Sequence, residues 1–185
     1  MTSIQILNLE DNEFIDSVAS SPLTSLTSLE FLSISESWIS PQMTFRFPFQ
    51  PSCWKTILSW KNFFMANNLF TTLKVPSMTL FNLWEMDLSN NSMRGELTTE
   101  FWANVPNLFC LDLSANRLEG SIPSQMDSNL SLERLNVAYN SLQGEIVFSD
   151  DAMNQNLSYL RLHHNMFTRN LSFLSSQGKF VHIGC

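Results

Sequence analysis

One nine-residue pattern governs this chain: apolar residues at its second, fourth and ninth places and a small polar residue, almost always asparagine, at its seventh. It occurs seven times, as ILNLEDNEF (6 to 14), FLSISESWI (31 to 39), NFFMANNLF (62 to 70), EMDLSNNSM (85 to 93), CLDLSANRL (110 to 118), RLNVAYNSL (134 to 142) and YLRLHHNMF (159 to 167). The seventh places are Asn12, Ser37, Asn68, Asn91, Asn116, Asn140 and Asn165, separated by 25, 31, 23, 25, 24 and 25 residues. Self-similarity at such a fixed period means stacked units, each burying its apolar face against the next. In Leu111-Asp112-Leu113 the alternation turns two leucines inward and the aspartate outward on a short strand. Strands of successive blocks stack into a parallel sheet of seven that lines one face of an arc.

The asparagine falls where the chain leaves the strand and is expected to face inward. A buried amide needs hydrogen-bond partners, which the backbone of its own and the neighbouring coil supplies. The column Asn12, Asn68, Asn91, Asn116, Asn140 and Asn165 therefore reads as a structural ladder. Ser37 interrupts it, with one hydroxyl in place of an amide.

The residues that follow narrow the fold. Residues 116 to 123 read NRLEGSIP, residues 91 to 97 NSMRGEL and residues 140 to 146 NSLQGEI, with Gly95, Gly120, Gly144 and Pro123 at matching positions. This resembles the plant-type leucine-rich repeat, N-x-L-x-G-x-I-P, over about 170 of the 185 residues and best from Leu80 to Leu171. LTSLEFLSI (26 to 34) and LFNLWEMDLSNN (80 to 91) look like the ectodomains of plant receptor-like proteins and receptor-like kinases. The resemblance implies an α/β leucine-rich repeat solenoid, curved, with a parallel sheet on the concave face and an irregular convex side. It also implies a second short strand after the glycine, which makes the coil twist. One domain spans 1 to 185, with repeats near 4–28, 29–59, 60–82, 83–107, 108–131, 132–156 and 157–174 and a tail at 175–185.

Composition narrows the function. With 44% hydrophobic residues the chain can bury a substantial core, and Phe14, Phe63 and Phe167 are expected to fill it. A net charge of -7 disfavours a nucleic-acid partner, whose phosphates call for a basic surface. The three cysteines, Cys53, Cys110 and Cys185, form no visible capping pair, and alternation places Cys110 on the outer face as a solvent-facing thiol. Their spacing matches no zinc motif, and no metal or cofactor is expected. The opening MTSIQILNLEDNEF has no basic stretch followed by an apolar one, so it does not read as a secretory leader. No apolar run reaches 18 residues, so no membrane span is expected. Starting inside a repeat, the chain reads as a fragment, a truncated copy or an incomplete gene product. Four N-x-S sequons, at Asn90, Asn129, Asn156 and Asn170, are possible N-glycosylation acceptors that point to secreted ancestry, while the resemblance implies the plasma membrane or extracellular space.

Two regions are candidates for recognition. The long step between the second and third blocks holds an insertion near 40–59, with Phe45, Phe47 and Phe49 alternating around Pro48. It reads either as a loop tucked against the solenoid or as an exposed aromatic patch. The outward strand positions are where the resembling family places binding. Asp87 and Asp112 sit where plant repeats commonly carry Asp, as scaffold or contact. Arg134, Tyr159, Arg161, His163 and the neighbouring His164 depart from that habit and cluster toward the C-terminal end, a composition of binding anchors or of a solvated face; Asn136, in the central column, is a further candidate contact.

Catalysis finds no constellation. His163 and His164 are adjacent and in a strand would point to opposite sides, and no phosphate loop, carboxylate pair or metal-ligand spacing accompanies them. The expected function is non-enzymatic recognition of a peptide or protein ligand or a co-receptor ectodomain, in plant signalling or defence. The alternatives are a secreted inhibitor resembling polygalacturonase inhibitors, or a non-functional truncated copy.

Overall fold

The structure, a computed structural model, describes residues 4–11, 26, 28–34, 58–71, 79–123, 131–146 and 156–168. Seven three-residue strands fall on the first three places of the seven blocks: β1 (Ile6–Asn8), β2 (Phe31–Ser33), β3 (Asn62–Phe64), β4 (Glu85–Asp87), β6 (Cys110–Asp112), β8 (Arg134–Asn136) and β10 (Tyr159–Arg161). They form one parallel sheet in the order β1-β2-β3-β4-β6-β8-β10, so neighbours in the repeat are neighbours in space. Register is strictly homologous: Glu85 faces Cys110, Cys110 faces Arg134 and Arg134 faces Tyr159.

Homologous register stacks like on like. Leu32, Phe63, Met86, Leu111, Leu135 and Leu160 make one buried row; Ile34, Met65, Leu88, Leu113, Val137 and Leu162 make a second. A third row, Leu29, Trp60, Leu83, Leu108, Leu132 and Leu157, comes from the residue two places before each strand. Each row is continuous because a parallel sheet repeats side-chain direction from strand to strand. Phe63 lies in the core and Phe167 packs partly buried against it, whereas Phe14 lies outside the described residues.

Five asparagine amides lie between these rows and the turn. Asn116 Nδ2 donates to Leu113 O and Ser114 O of its own coil, at 3.1 and 3.2 Å, and to Leu88 O of the preceding coil at 2.9 Å. Its Oδ1 accepts from Met93 N at 3.0 Å, so one side chain ties two coils through both its polar atoms. Asn91, Asn140 and Asn165 repeat the arrangement, accepting from Phe70 N, Leu118 N and Leu142 N. Asn68 makes the three donations, to Ile34 O, Met65 O and Ala66 O. The residue in register to supply its Oδ1, Ile39, lies outside the described residues, as do Asn12 and Ser37.

The turn that aims each amide inward has its own signature. The residue immediately before the asparagine has a left-handed backbone in six coils: Asp11, Asn67, Asn90, Ala115, Tyr139 and His164, with φ between 51° and 57°. Asn and Asp tolerate this conformation; Tyr is an unusual occupant. The N–H groups of these residues extend the ladder beyond the strands, with Asn90 N bonding Ser114 O and Tyr139 N bonding His163 O.

Beyond the turn, second strands pair as β5 (Arg94–Glu96) with β7 (Arg117–Glu119) and β9 (Gln143–Glu145) with β11 (Met166–Thr168). Arg94 lies three residues after its asparagine and pairs with Arg117, one residue after its own. That two-residue stagger offsets this side of the coil from the in-phase strand side. Gly120 follows with φ +78°, and a Cβ there would come within 2.9 Å of Glu96 Cγ. Only glycine meets both demands without strain. A six-residue helix, α1 (Thr99–Asn104), follows β5; Thr98 caps it by accepting from Phe101 N at 3.3 Å, and Phe101 and Trp102 are buried edge to face.

Asn116→Ala should lower folding stability by about 1–3 kcal/mol, because it leaves buried backbone groups of two coils without partners. Chemical denaturation of the wild type and the variant measures this, and equal midpoints would remove the amide from any structural role.

Candidate recognition surface

The strand face presents the first and third residues of each strand. In β4 to β10 the first row is Glu85, Cys110, Arg134 and Tyr159, and the third is Asp87, Asp112, Asn136 and Arg161. These rows contain six of the seven candidate contact residues, and their side chains divide into two kinds.

Asp87, Asp112 and Asn136 are engaged with their own backbone. Asp87 Oδ1 accepts from Ser89 N, Asp112 Oδ1 from Ser114 N and Asn136 Oδ1 from Ala138 N, at 2.9, 2.9 and 3.2 Å. Asn8 does the same for Glu10 N. A short polar side chain bonding the N–H two residues on is the Asx-turn, so this row shapes the exit from the strand. Asp112 is further tied by Ser114 Oγ at 2.6 Å and by Asn136 Nδ2 at 2.8 Å.

Arg134, Tyr159 and Arg161 are a different matter. Their side chains converge, with the Arg134 and Arg161 guanidinium carbons 5.0 and 5.1 Å from the centre of the Tyr159 ring. The ring's negative face attracts each cation. Among the described residues neither guanidinium has a carboxylate or carbonyl partner. The one ion pair there joins Lys61 and Glu30 at 2.7 Å.

His163 belongs to a second cluster. The strand geometry expected for His163 and His164 does not apply, because both lie beyond β10 and His164 has φ 56°. The reversal brings both rings to Tyr139: His164 stacks on it at 4.2 Å, and His163 meets it edge to face at 5.1 Å. Tyr139 escaped the sequence reading. The available signal was its place immediately before Asn140, the place His164 holds before Asn165.

A third group flanks the strands. Trp84 and Phe109 directly precede β4 and β6, with rings 5.5 Å apart, and Trp84 is 54% exposed. Cys110 differs from its expected place in solvent. It is a free thiol but half-buried, and burial pushes its pKa up, opposed by Arg134 and reinforced by Glu85, Asp112 and Asp87. The neighbouring strands shield it on both sides, and a thiol with a raised pKa is a poor nucleophile at neutral pH.

Among the described residues no group of three or more His, Cys, Asp or Glu could hold a metal ion. No described helix is long and apolar enough to cross a membrane. Of the sequons, Asn90 and Asn156 are exposed, Asn90 donating to Asn67 Oδ1 at 2.6 Å, while Asn129 and Asn170 lie outside the described residues.

Residues 107–129 match the Leucine Rich Repeat family model. The chain is a plant-type leucine-rich repeat solenoid. This solenoid is 30% identical over 176 residues to Receptor like protein 21 of Arabidopsis thaliana, an alignment covering 81% of the chain and 17% of that protein. Over 101 residues it is 33% identical to Receptor-like protein 13 of the same plant, covering 55% and 9%. It therefore spans less than a fifth of either relative. Among solved structures it superposes on the ectodomain of the Arabidopsis receptor kinase HAESA, in complex with a peptide hormone, with TM-score 0.73 and 25% identity, over 89% of this chain and 26% of that one.

One carboxylate on this solenoid makes a pH effect predictable. Burial raises the Asp87 pKa, Ser89 opposes this through its hydroxyl and N–H, and Asp112 adds to the rise. A carboxyl whose pKa is higher folded than unfolded binds more protons in the folded state, so stability falls as pH rises from the unfolded value of 3.8 through the folded one. Asp87→Asn keeps an oxygen for Ser89 N and removes that loss. The variant should match or exceed the wild type's thermal midpoint at pH 7 and show a flatter profile as pH rises above 3.8; a lower midpoint at pH 7 would show that the ionised form stabilises the fold.

Proposed function

We propose that this chain is a non-enzymatic recognition module of a plant cell-surface receptor-like protein, and that it binds a peptide or another ectodomain across its strand face. The observation that carries the reading is the convergence of Arg134, Tyr159 and Arg161, with both guanidinium groups free of carboxylate and carbonyl partners among the described residues. A rigid sheet presenting arginine and tyrosine is suited to recognition, because these side chains combine contact area with directed hydrogen bonds. Placement at the cell surface draws on the receptor-like relatives and on the exposed sequon asparagines Asn90 and Asn156. The peptide-hormone complex of the superposing receptor kinase supports a peptide as the ligand class.

The reading is tested by selecting a displayed random-peptide library on the folded chain and measuring recovered peptides against Tyr159→Ala and Arg161→Ala. Each substitution should weaken binding roughly tenfold or more, the loss of about 1.4 kcal/mol typical of a central anchor. The thermal midpoint should stay within a degree or two of the wild type, since neither side chain lies in the core. Recovery of no peptide, or equal affinity for the variants, would remove this face from recognition.

A further inference from the structure

The strand face is electrically divided along the stacking direction. On β4 and β6 its charged side chains are Glu85, Asp87 and Asp112; on β8 and β10 they are Arg134 and Arg161. The two fields are set apart by neutral side chains: Asn136 stands between them in the third row, bonded to Asp112, and Cys110 separates Glu85 from Arg134 in the first. No salt bridge joins them among the described residues.

Each field also keeps unused bonding capacity facing outward. Glu85 Oε2 accepts only the Asn62 amide at 3.0 Å, and Asp87 bonds Ser89 alone. A cation arriving there would meet two carboxylates with oxygens to spare. At the other end, Arg134 and Arg161 approach Tyr159 with their guanidinium N–H donors free of protein acceptors among the described residues. An anionic group arriving at this cluster would find unused charge-assisted donors on both arginines.

We infer that this face selects an extended peptide with separated opposite charges: a Lys or Arg over Glu85 and Asp87, and an Asp or Glu at the cluster of Arg134, Tyr159 and Arg161. Strands stack about 4.8 Å apart, so β4 and the midpoint of β8 and β10 lie roughly 12 Å apart, which an extended chain spans in about three to four residues. The spacing specifies the ligand more narrowly than net charge could. The same division rejects peptides of a single sign, because one of their ends would face like charge. Burial and Asp112 already oppose ionisation of Asp87, and an arriving cation would offset both.

The inference rests on the peptide-recognition reading and is tested with the peptides recovered from the displayed library. Their sequences should carry a basic and an acidic residue three to four positions apart. Double-mutant cycles then pair each peptide charge with each field, using the full chain. Replacing the peptide's basic residue with Ala and Glu85 with Gln should each weaken binding about fivefold, and together scarcely more than either alone. The peptide's acidic residue should couple in the same way to Arg161→Gln, and the crossed pairs should be additive. Thermal midpoints of both variants confirm that the fold is retained. Peptides of one sign, additive matched pairs, or coupled crossed pairs would overturn the inference while leaving peptide recognition standing. Failure to recover any peptide would remove both.

Discussion

The rest of the structure depends on the amide of one asparagine per coil. Each turn of the solenoid must leave the strand within a few residues while its backbone carbonyls point inward. The Asn116 amide reaches carbonyls of two coils and accepts an N–H of the preceding one, so turning and stacking are stabilised by the same group. Because these bonds are shielded between leucine rows, they are not exchanged for bonds to water, and their loss is costly. The left-handed residue before each asparagine belongs to the same device. At Tyr139 and His164 it places large rings where Asp11 and Asn90 place small groups, and the stacked pair offsets part of the strain.

Fixing the coils from within frees the strand face. Its outward residues take no part in the leucine rows, so they can change between repeats at little cost to the fold. The face uses this freedom unevenly. The third row at Asp87, Asp112 and Asn136 is engaged in turning the backbone, whereas Arg134, Tyr159 and Arg161 satisfy none of the scaffold's polar groups. Side chains held in place without a structural hydrogen bond are the ones available to a partner, and here they are the ones that carry strong positive charge.

Legibility in the sequence follows the same division. The strands could be placed from the alternation in blocks such as CLDLSANRL, because homologous register makes one coil a template for the next. Tyr139 could not be, since the apolar-polar pattern says nothing about a residue whose position depends on a φ of 57°. His163 and His164 were misjudged for the same reason: alternate sides hold only while the strand continues, and it ends at Arg161. Cys110 looked solvent-facing from alternation alone, which ignores how far its neighbours on adjacent strands cover it.

By itself, the sequence determined the coil: its period, its parallel sheet, the inward leucines and the turn residues, all of which follow from contacts repeated at fixed spacing. It also determined which residues stand on the outward face, because period-two alternation leaves no other choice. Only the tertiary structure decided what those residues do. Whether two arginines meet one tyrosine and whether acidic and basic fields lie apart depend on distances between coils 24 or 25 residues distant in the chain. Such distances are set by the stacking of strands and the stagger of the second strands, which no single repeat contains.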